Sequence, residues 1–131
     1  MTSELRVDNL KGSTTGGSIN VLGEGTSATT NLQQGLTKVW LSATSTTANQ
    51  DSFNRSSGTD NGTGNYTHTF TNNMGNATYN FAGAAETNLP ALLSVASGER
   101  LTSSIQLRHS GAFDGTGKDC DHTALVNGDL A

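Results

Sequence analysis

The residues with the most obvious chemical potential lie near the end of the chain, where His122 follows the run Asp119-Cys120-Asp121. Histidine, thiolate and carboxylate side chains are the usual ligands of zinc and other transition metals. Metal ligands must converge, however, and adjacent residues of a strand point to opposite faces. The sequence offers no spaced partner such as H-x-x-x-H. We therefore expect no metal at this run, and a solvated loop around His122.

His68 is the second candidate, because it stands between two aromatic residues at strand spacing. In the segment 66–71 the rings of Tyr66, His68 and Phe70 alternate with threonines, which places them on one face of a strand. One interpretation is a histidine at a symmetry axis between copies of the chain, where it would bind an ion or sense pH. The other is a histidine packed and hydrogen-bonded inside the module or an interface. We favour the packed histidine.

Trp40 is the only tryptophan, and an aromatic ring of this size can stack on a sugar. It stands at the join between a weakly patterned leader and a region of clearer strand pattern. A role in an interface or in the core is the favoured interpretation at that position.

Catalysis is not indicated by the sequence. Ser, His and Asp all occur, but no G-x-S-x-G motif or other nucleophile setting is found. Cleavage of polysaccharide needs a carboxylate pair in a cleft, whereas the acidic residues here are spread among predicted loops. The glycine-rich stretch 12–17 lacks the lysine of a phosphate-binding loop. We expect a protein that is not an enzyme and takes no cofactor.

Composition limits the remaining function classes. The seven basic residues are scattered against eleven acidic ones, for a net charge of −4, so the clustered positive charge of a nucleic-acid binder is missing. No apolar run reaches the roughly 18 residues of a membrane-spanning helix, and the start does not resemble a secretory signal. The single cysteine, Cys120, cannot form an internal disulfide.

The chain is poor in core-forming residues. Thr, Ser, Asn and Gly supply 63 of the 131 residues, whereas Leu, Ile, Val and Phe supply 24. Complete disorder is an alternative at this composition, but the low charge speaks against it. A monomer with so few large apolar residues would be marginally stable. We therefore expect other subunits to supply the missing burial.

Residues 1–35 are predicted to form an extended N-terminal segment. Leu5 and Val7 indicate one short strand and Ile19 and Val21 another, joined as a loose hairpin by a glycine-rich stretch. Residues 23–27 are typical of a flexible connector. Residues 31–35 would form either one helical turn ended by Gly35 or a loop.

Residues 36–131 are predicted to form a β-sandwich-like module. Alternating apolar residues indicate about seven short strands, and their spacing favours an all-β antiparallel sandwich or small barrel. The predicted strands are marked by these residues: Val39 and Leu41; Phe53; residues 66–71; Ala77, Tyr79 and Phe81; Ala91, Leu93 and Val95; Leu101, Ser103, Ile105 and Leu107; and residues 122–126. Polar loops are predicted near residues 58–65 and 111–121.

Several stretches of the chain resemble tail-fibre-like structural proteins of marine bacteriophages. The N-terminal stretches that carry the resemblance are SELRVDNLKG (3–12) and GGSINV (16–21), and the join is NLQQGLTKVW (31–40). The most specific stretches are DSFN (51–54), TDNGTGNYT (59–67) and FTN (70–72), and the end NGDLA (127–131) is also similar. Residues 87–118 are the least typical part.

The resemblance implies a virion structural protein on the outside of a phage particle, assembled as a homotrimer. Family members are commonly described as tail fibres, and this implies assembly with other virion proteins and binding to a glycan or protein of the host-cell surface. A capsid decoration protein that clamps the shell is the alternative, and a polysaccharide depolymerase is the weakest one. No nucleic acid and no membrane insertion are expected.

Three groups of residues follow as candidate sites. The anchor and assembly group is expected in the first segment, and consists of Leu5, Val7, Leu10, Ile19 and Val21. The interface group consists of Trp40, Tyr66, His68 and Phe70. The exposed contact loops are expected to present Asp60, Asn61, Thr63, Asn65, Phe113 and Asp114.

Overall fold

The computed structural model describes residues 4–15, 18–22, 29–87 and 91–131. The chain divides into two compact units, Met1–Leu36 and Thr37–Ala131. Within the described residues, no helix is long and apolar enough to cross a membrane.

The N-terminal unit contains a small hairpin followed by a single helical turn. Strand β1 (Asn20–Leu22) pairs antiparallel with β2 (Thr29–Asn31), and α1 (Leu32–Gly35) follows directly. The Asn31 side chain caps this turn by accepting a hydrogen bond from the Gln34 backbone N–H at 3.1 Å. The helical turn is therefore the correct one of the two alternatives for residues 31–35.

The predicted hairpin of the N-terminal unit had the wrong first strand. Residues 4–7 form no strand, and the partner of β1 is the threonine pair of β2. Leu5 and Val7 alternate with polar residues, but two apolar side chains do not stabilise a strand that has no neighbouring strand to pair with. The predicted connector at 23–27 lies outside the described residues.

The C-terminal unit is an antiparallel β-sandwich, as the strand spacing predicted. Its first sheet has the order β4-β3-β11-β7 and is called sheet I; its strands are β3 (Thr37–Ala43), β4 (Asn49–Phe53), β7 (Asn80–Glu86) and β11 (Asp121–Asn127). Sheet II has the order β5-β6-β10-β8; its strands are β5 (Arg55–Asp60), β6 (Asn65–Phe70), β8 (Ala91–Ser94) and β10 (Ser104–Gly111), and β9 (Arg100–Leu101) also pairs with β10.

The chain passes from sheet I to sheet II at Asn54, between β4 and β5. Asn54 has φ 61°, a left-handed conformation that asparagine tolerates better than most residues. Its side-chain amide donates to the carbonyls of Lys38 and Asn72, at 3.0 and 3.1 Å, and its side-chain oxygen accepts from the Asn72 N–H at 2.7 Å. The corner is therefore held by side-chain hydrogen bonds, which explains why a polar residue follows Phe53 there.

Three strand assignments differ from the sequence predictions. Strand β5 was not predicted, because its residues RSSGTD contain no apolar side chain. The predicted single strand from Leu101 to Leu107 is divided into β9 and β10 by a turn at residues 102–103. The strand expected from Ala77 begins only at Asn80.

The apolar core fills one half of the space between the two sheets. It contains the buried residues Val39, Leu41, Ala43, Phe70, Met74, Tyr79, Ile105, Leu107, Ala124 and Val126. Phe70 and Tyr79 meet edge to face, with ring centroids 6.1 Å apart, and the Tyr79 hydroxyl donates to the carbonyl of Ser104 at 2.8 Å. The other half of the interior is built from Tyr66 and histidines.

Candidate functional site

Two polar loops meet at one end of the sandwich. They are the β5–β6 turn (residues 61–64) and the β10–β11 loop (residues 112–120), and we call them the paired loops. The Gly64 carbonyl accepts from the His109 N–H at 2.8 Å, and the Gly64 N–H donates to the Asp119 carboxylate at 2.8 Å. The two loops predicted as contact sites thus form one continuous surface.

Gly64 is required where the paired loops touch. Its φ is 68°, and a Cβ placed on it would lie 2.4 Å from the His109 carbonyl oxygen. Any other residue would therefore be strained by its conformation and would also push the two loops apart.

The outer surface of the paired loops carries the predicted contact residues. Phe113 is 91% exposed at the tip of its loop. Asp114 folds this tip by accepting from the Thr116 N–H at 3.1 Å, and Asp60 supports the other loop by accepting from the Gly62 N–H at 2.9 Å. Asn61 and Thr63 are also exposed, whereas Asn65 is half-buried and accepts a 2.6 Å hydrogen bond from Gln106.

Asp119 fastens the paired loops to the interior of the sandwich. Besides the Gly64 N–H, its Oδ1 accepts the hydroxyl of buried Tyr66 at 2.8 Å. These two hydrogen bonds, that of Gly64 first, hold the pKa of Asp119 below its ordinary value. Burial and the adjacent carboxylate raise the pKa of Tyr66, so the phenol keeps its proton and remains the donor.

Beneath the loops, all three histidines of the chain lie buried in one cluster with Tyr66. His68, on β6 of sheet II, and His122, on β11 of sheet I, approach with their Nε2 atoms 2.8 Å apart. His109 lies with its ring centroid 4.7 Å from that of His122, and the Tyr66 ring stacks on His122 at 5.0 Å. We call this group, including Arg55 and Cys120 at its border, the histidine cluster.

The direction of each hydrogen bond through His68 and His122 follows from Arg55. A guanidinium can only donate hydrogen bonds, so the Arg55 Nε–H donates to His68 Nδ1, at 3.0 Å. His68 therefore carries its proton on Nε2 and donates to His122 Nε2. His122 then carries its proton on Nδ1 and donates to the Cys120 carbonyl at 3.3 Å. Both imidazoles are neutral, and each ring nitrogen has a partner.

His109 completes the cluster through the only cysteine. Its Nδ1 lies 2.9 Å from the Cys120 Sγ, while its buried Nε2 has no hydrogen-bond partner among the described residues. Burial is the main cause that lowers the pKa of His68 to about 3 and that of His109 to about 4, and it also lowers that of His122. The three histidines are therefore uncharged at neutral pH.

The hydrogen bonds of this cluster connect the two sheets, which is a structural role. Within the described parts of the chain, no group of three His, Cys, Asp or Glu residues is placed to hold a metal ion. His68 is also unable to bind a metal as it stands. Arg55 donates to its Nδ1, so Nε2 carries the proton and neither nitrogen has a free lone pair. Burial raises the pKa of the Cys120 thiol, which disfavours the nucleophilic thiolate.

Two predictions about these residues require correction. Tyr66, His68 and Phe70 were named as interface candidates, but they are buried inside a single chain and cannot reach a partner. His122 was predicted as the first residue of the last strand, beside a solvated loop. The strand is confirmed, but the residue is fully buried, because it shares the inward face of β11 with Ala124 and Val126. The packed and hydrogen-bonded interpretation of His68 is confirmed. Trp40, the fourth interface candidate, remains on the outside of sheet I.

The predicted anchor residues are exposed in the N-terminal unit. Leu5, Val7, Leu10 and Val21 each expose at least half of their surface, and Ile19 is half-buried beside a groove of about 310 Å³ that Leu10, Leu32 and Leu36 also line. Their role as an anchor stays a prediction.

His109, Arg55 and the role of Asp119 were not predicted from the sequence. His109 continues the alternation Ile105, Leu107, His109 on the inward face of β10, and this pattern was a usable signal. Arg55 and Asp119 lie in polar stretches where no local pattern marks a buried partner.

The chain enters the sandwich at the end opposite the paired loops. Thr37, the first residue of β3, pairs with Asn127, the last residue of β11. The paired loops lead into Asp121, the first residue of the same strand. At about 3.3 Å per residue, the two ends of β11 lie roughly 20 Å apart.

No family model, curated protein or solved structure matches this chain.

Proposed function

We propose that this chain is a bacteriophage virion structural protein of the tail-fibre-like kind, which acts by assembly and by binding the host surface. The observation that supports this best is the placement of the paired loops at the far end of the sandwich from Thr37, where the N-terminal unit is attached in sequence. A module that is held at one end and presents loops at the other suits a protein that displays a contact surface.

The N-terminal unit suits the assembly role. Leu5 is 74% exposed, and Val7, Leu10, Leu22 and Leu36 are each more than half exposed. Exposed apolar side chains at this density favour burial against another protein. In the proposed function they dock on other virion proteins, as the anchor prediction requires.

The paired loops suit a binding role. They combine one aromatic side chain, Phe113, with exposed amide, hydroxyl and carboxylate groups such as those of Asn61, Thr63 and Asp114. Aromatic rings and polar groups of this kind contact glycans and proteins alike. Many weak sites on one particle would act together through avidity.

The test is competition for adsorption. The purified full chain, labelled with a fluorophore, is incubated with cells susceptible to the phage, and phage adsorption is then measured. We expect saturable binding and a dose-dependent loss of adsorption. No binding together with no competition would contradict the host-binding role, and a location on the head would then favour capsid decoration.

A further inference from the structure

The outer face of sheet I carries an apolar row that crosses all four strands. The register places Phe53, Trp40, Leu125 and Ala82 side by side on the outward face, in that order from β4 to β7. Phe53 is 53% exposed, and Trp40 and Leu125 are 40% exposed. The next row towards the paired loops continues with the small uncharged residues Ser42, Thr123 and Ala84. We call this surface the Trp40 face.

The outer face of sheet II has the opposite character and serves as an internal comparison. Its cross-strand neighbours are Thr59 with Thr67 and Ser57 with Thr69. Their hydroxyls are hydrogen-bonded at the surface, as in the 2.8 Å contact of Thr67 with the Asn61 amide. A half-exposed sheet usually presents such polar residues to water. Leu92 of β8 is also 57% exposed on this outer face of sheet II, but its cross-strand neighbour is Ser110. The apolar row that crosses neighbouring strands is therefore the feature that distinguishes sheet I.

Three acidic residues stand at one end of the Trp40 face, Lys38 is buried two residues before Trp40 at the other end, and the apolar row between them is uncharged. Asp51, Asp121 and Glu86 all lie towards the paired loops, one or two register positions beyond the apolar row. An uncharged apolar centre with polar residues around it is the usual anatomy of a protein interface. Because the whole chain has a net charge of −4, a second copy would be repelled elsewhere but can approach an uncharged face.

The dimensions of the face fit association between copies. Four strands with a spacing of about 4.8 Å and strands of five to seven residues give a surface of about 20 by 20 Å. With the relief of its side chains, this is on the order of 600 Å² of accessible area per copy. Two copies would then bury on the order of 1,200 Å², the lower end of the range for specific interfaces.

We propose that copies of this chain meet at the Trp40 face, with Trp40 and Leu125 at the centre of the contact. The inference builds on the proposed function, which requires the chain to assemble, and it replaces the buried ring residues with an exposed surface as the site of self-association. The proposal also explains why the chain has few core residues. The outer face of sheet I is a second apolar surface, and it is buried only when copies assemble.

The test uses Leu125→Glu in the full chain, with Thr59→Glu as the matched control on the outer face of sheet II. Each variant adds one carboxylate to an exposed or half-exposed strand position. Light scattering after size exclusion should give two or three times 13.5 kDa for the natural sequence and for Thr59→Glu, because two faces pack as a dimer and three faces that converge on an axis form a trimer. Leu125→Glu should give 13.5 kDa with an unchanged β-sheet circular dichroism spectrum.

Trp40 supplies a second readout, because it is the only tryptophan. Its emission should shift to longer wavelength when the natural chain is diluted, and should stay there at every concentration in Leu125→Glu. An oligomer that survives Leu125→Glu would overturn the proposal. A natural chain that is monomeric up to about 100 μM, with emission independent of concentration, would overturn it as well and would indicate another occupant of this face.

The two proposals fail in distinguishable ways. If the Trp40 face is wrong, Leu125→Glu still assembles, while competition for adsorption is unaffected. If the host-binding role is wrong, the natural chain assembles through this face but neither binds cells nor competes with the phage.

Discussion

The Nε2 atoms of His68 and His122 lie 2.8 Å apart and join the two sheets of the sandwich through one hydrogen bond. The two residues are 54 positions apart in the chain, and each is fully buried. Arg55 fixes the direction of the bond from His68 to His122, since its Nε–H occupies the other nitrogen of His68. Neither ring can accept a proton without breaking a hydrogen bond in the interior.

Mild acid should therefore destabilise the sandwich. The pKa values of His68 and His109, about 3 and about 4, lie below the ordinary value of 6.5, so the unfolded chain binds protons first as the pH falls. The stability is fully present above pH 6.5 and is lost progressively below it, by at most about 1.4 kcal/mol per pH unit for each histidine. Urea unfolding between pH 8 and pH 4.5 measures this loss.

The charged groups around the cluster define the pH window of that experiment. Arg55 disfavours a second positive charge at His68 and His122. The negative charge of Asp119 favours protonation of His109, and the negative charges of Asp121 and Glu86 oppose the lowered pKa of His122 only in part. Because the pKa of Asp119 is also lowered, its own contribution is lost only below about pH 4. A free energy of unfolding that stays constant from pH 7 to pH 5 would contradict the neutral, buried histidines.

Removal of His122, which accepts the hydrogen bond from His68, should lower the stability of the sandwich. His122→Ala leaves the His68 Nε2–H without an acceptor and opens a cavity beneath the paired loops, which should lower the free energy of unfolding by about 3 kcal/mol. Thr123→Ala, at the next position on the outward face of β11, is the control and should cost less than about 1 kcal/mol. Equal losses in the two variants, measured by urea unfolding at pH 7.5, would argue against the hydrogen-bonded pair.

Asp119 should hold the paired loops together without determining the fold. Asp119→Ala removes the acceptor of the Gly64 N–H and of the Tyr66 hydroxyl, and we expect the free energy of local opening of the paired loops to fall by about 1.4 kcal/mol or more. Amide hydrogen exchange should become at least tenfold faster at residues 61–64 and 112–119, and stay unchanged in β3. Asp114→Ala alters only the loop tip and serves as the control. Uniform acceleration across the sandwich would show that Asp119 acts on global stability instead.

Phe113 should matter for binding and not for stability. Its side chain is almost fully exposed, so Phe113→Ala should change the free energy of unfolding by less than about 0.5 kcal/mol. If the paired loops contact the host surface, the same change should weaken binding to susceptible cells at least fivefold. Leu101→Ala removes an exposed apolar side chain at the opposite end of the sandwich and should bind as the natural chain does. Equal binding by all three proteins would exclude Phe113 from the contact.

The sequence predicted the elements whose apolar residues alternate clearly. β3, β6 and β11 follow from Val39 and Leu41, from Tyr66 and Phe70, and from the apolar residues after His122. Strand β5 could not be predicted in this way, because its stability comes from pairing with β6 and from the position of Arg55. Edge strands of serine and threonine carry no periodic signal.

The candidate site was predictable only in part. Both paired loops were expected from their turn residues, but their contact depends on Gly64 meeting Asp119, two residues 55 positions apart. The burial of His122 was missed because Asp119 and Asp121, just before it, suggest a solvated loop. Its inward direction is set by the register of β11 against β3, which pairs His122 with Ala43, and a single sequence does not reveal register between distant strands.

The most direct test of the proposed function is cryo-electron microscopy of intact phage particles that contain this chain, which the proposal requires to exist. If the proposed function is right, the sandwich should give density on the outside of the tail, in copies related by symmetry. The Thr37 end should face the particle, the paired loops should face the medium, and the Trp40 faces should meet between copies. Particles without this density, or with the paired loops buried against the shell, would contradict the proposed function.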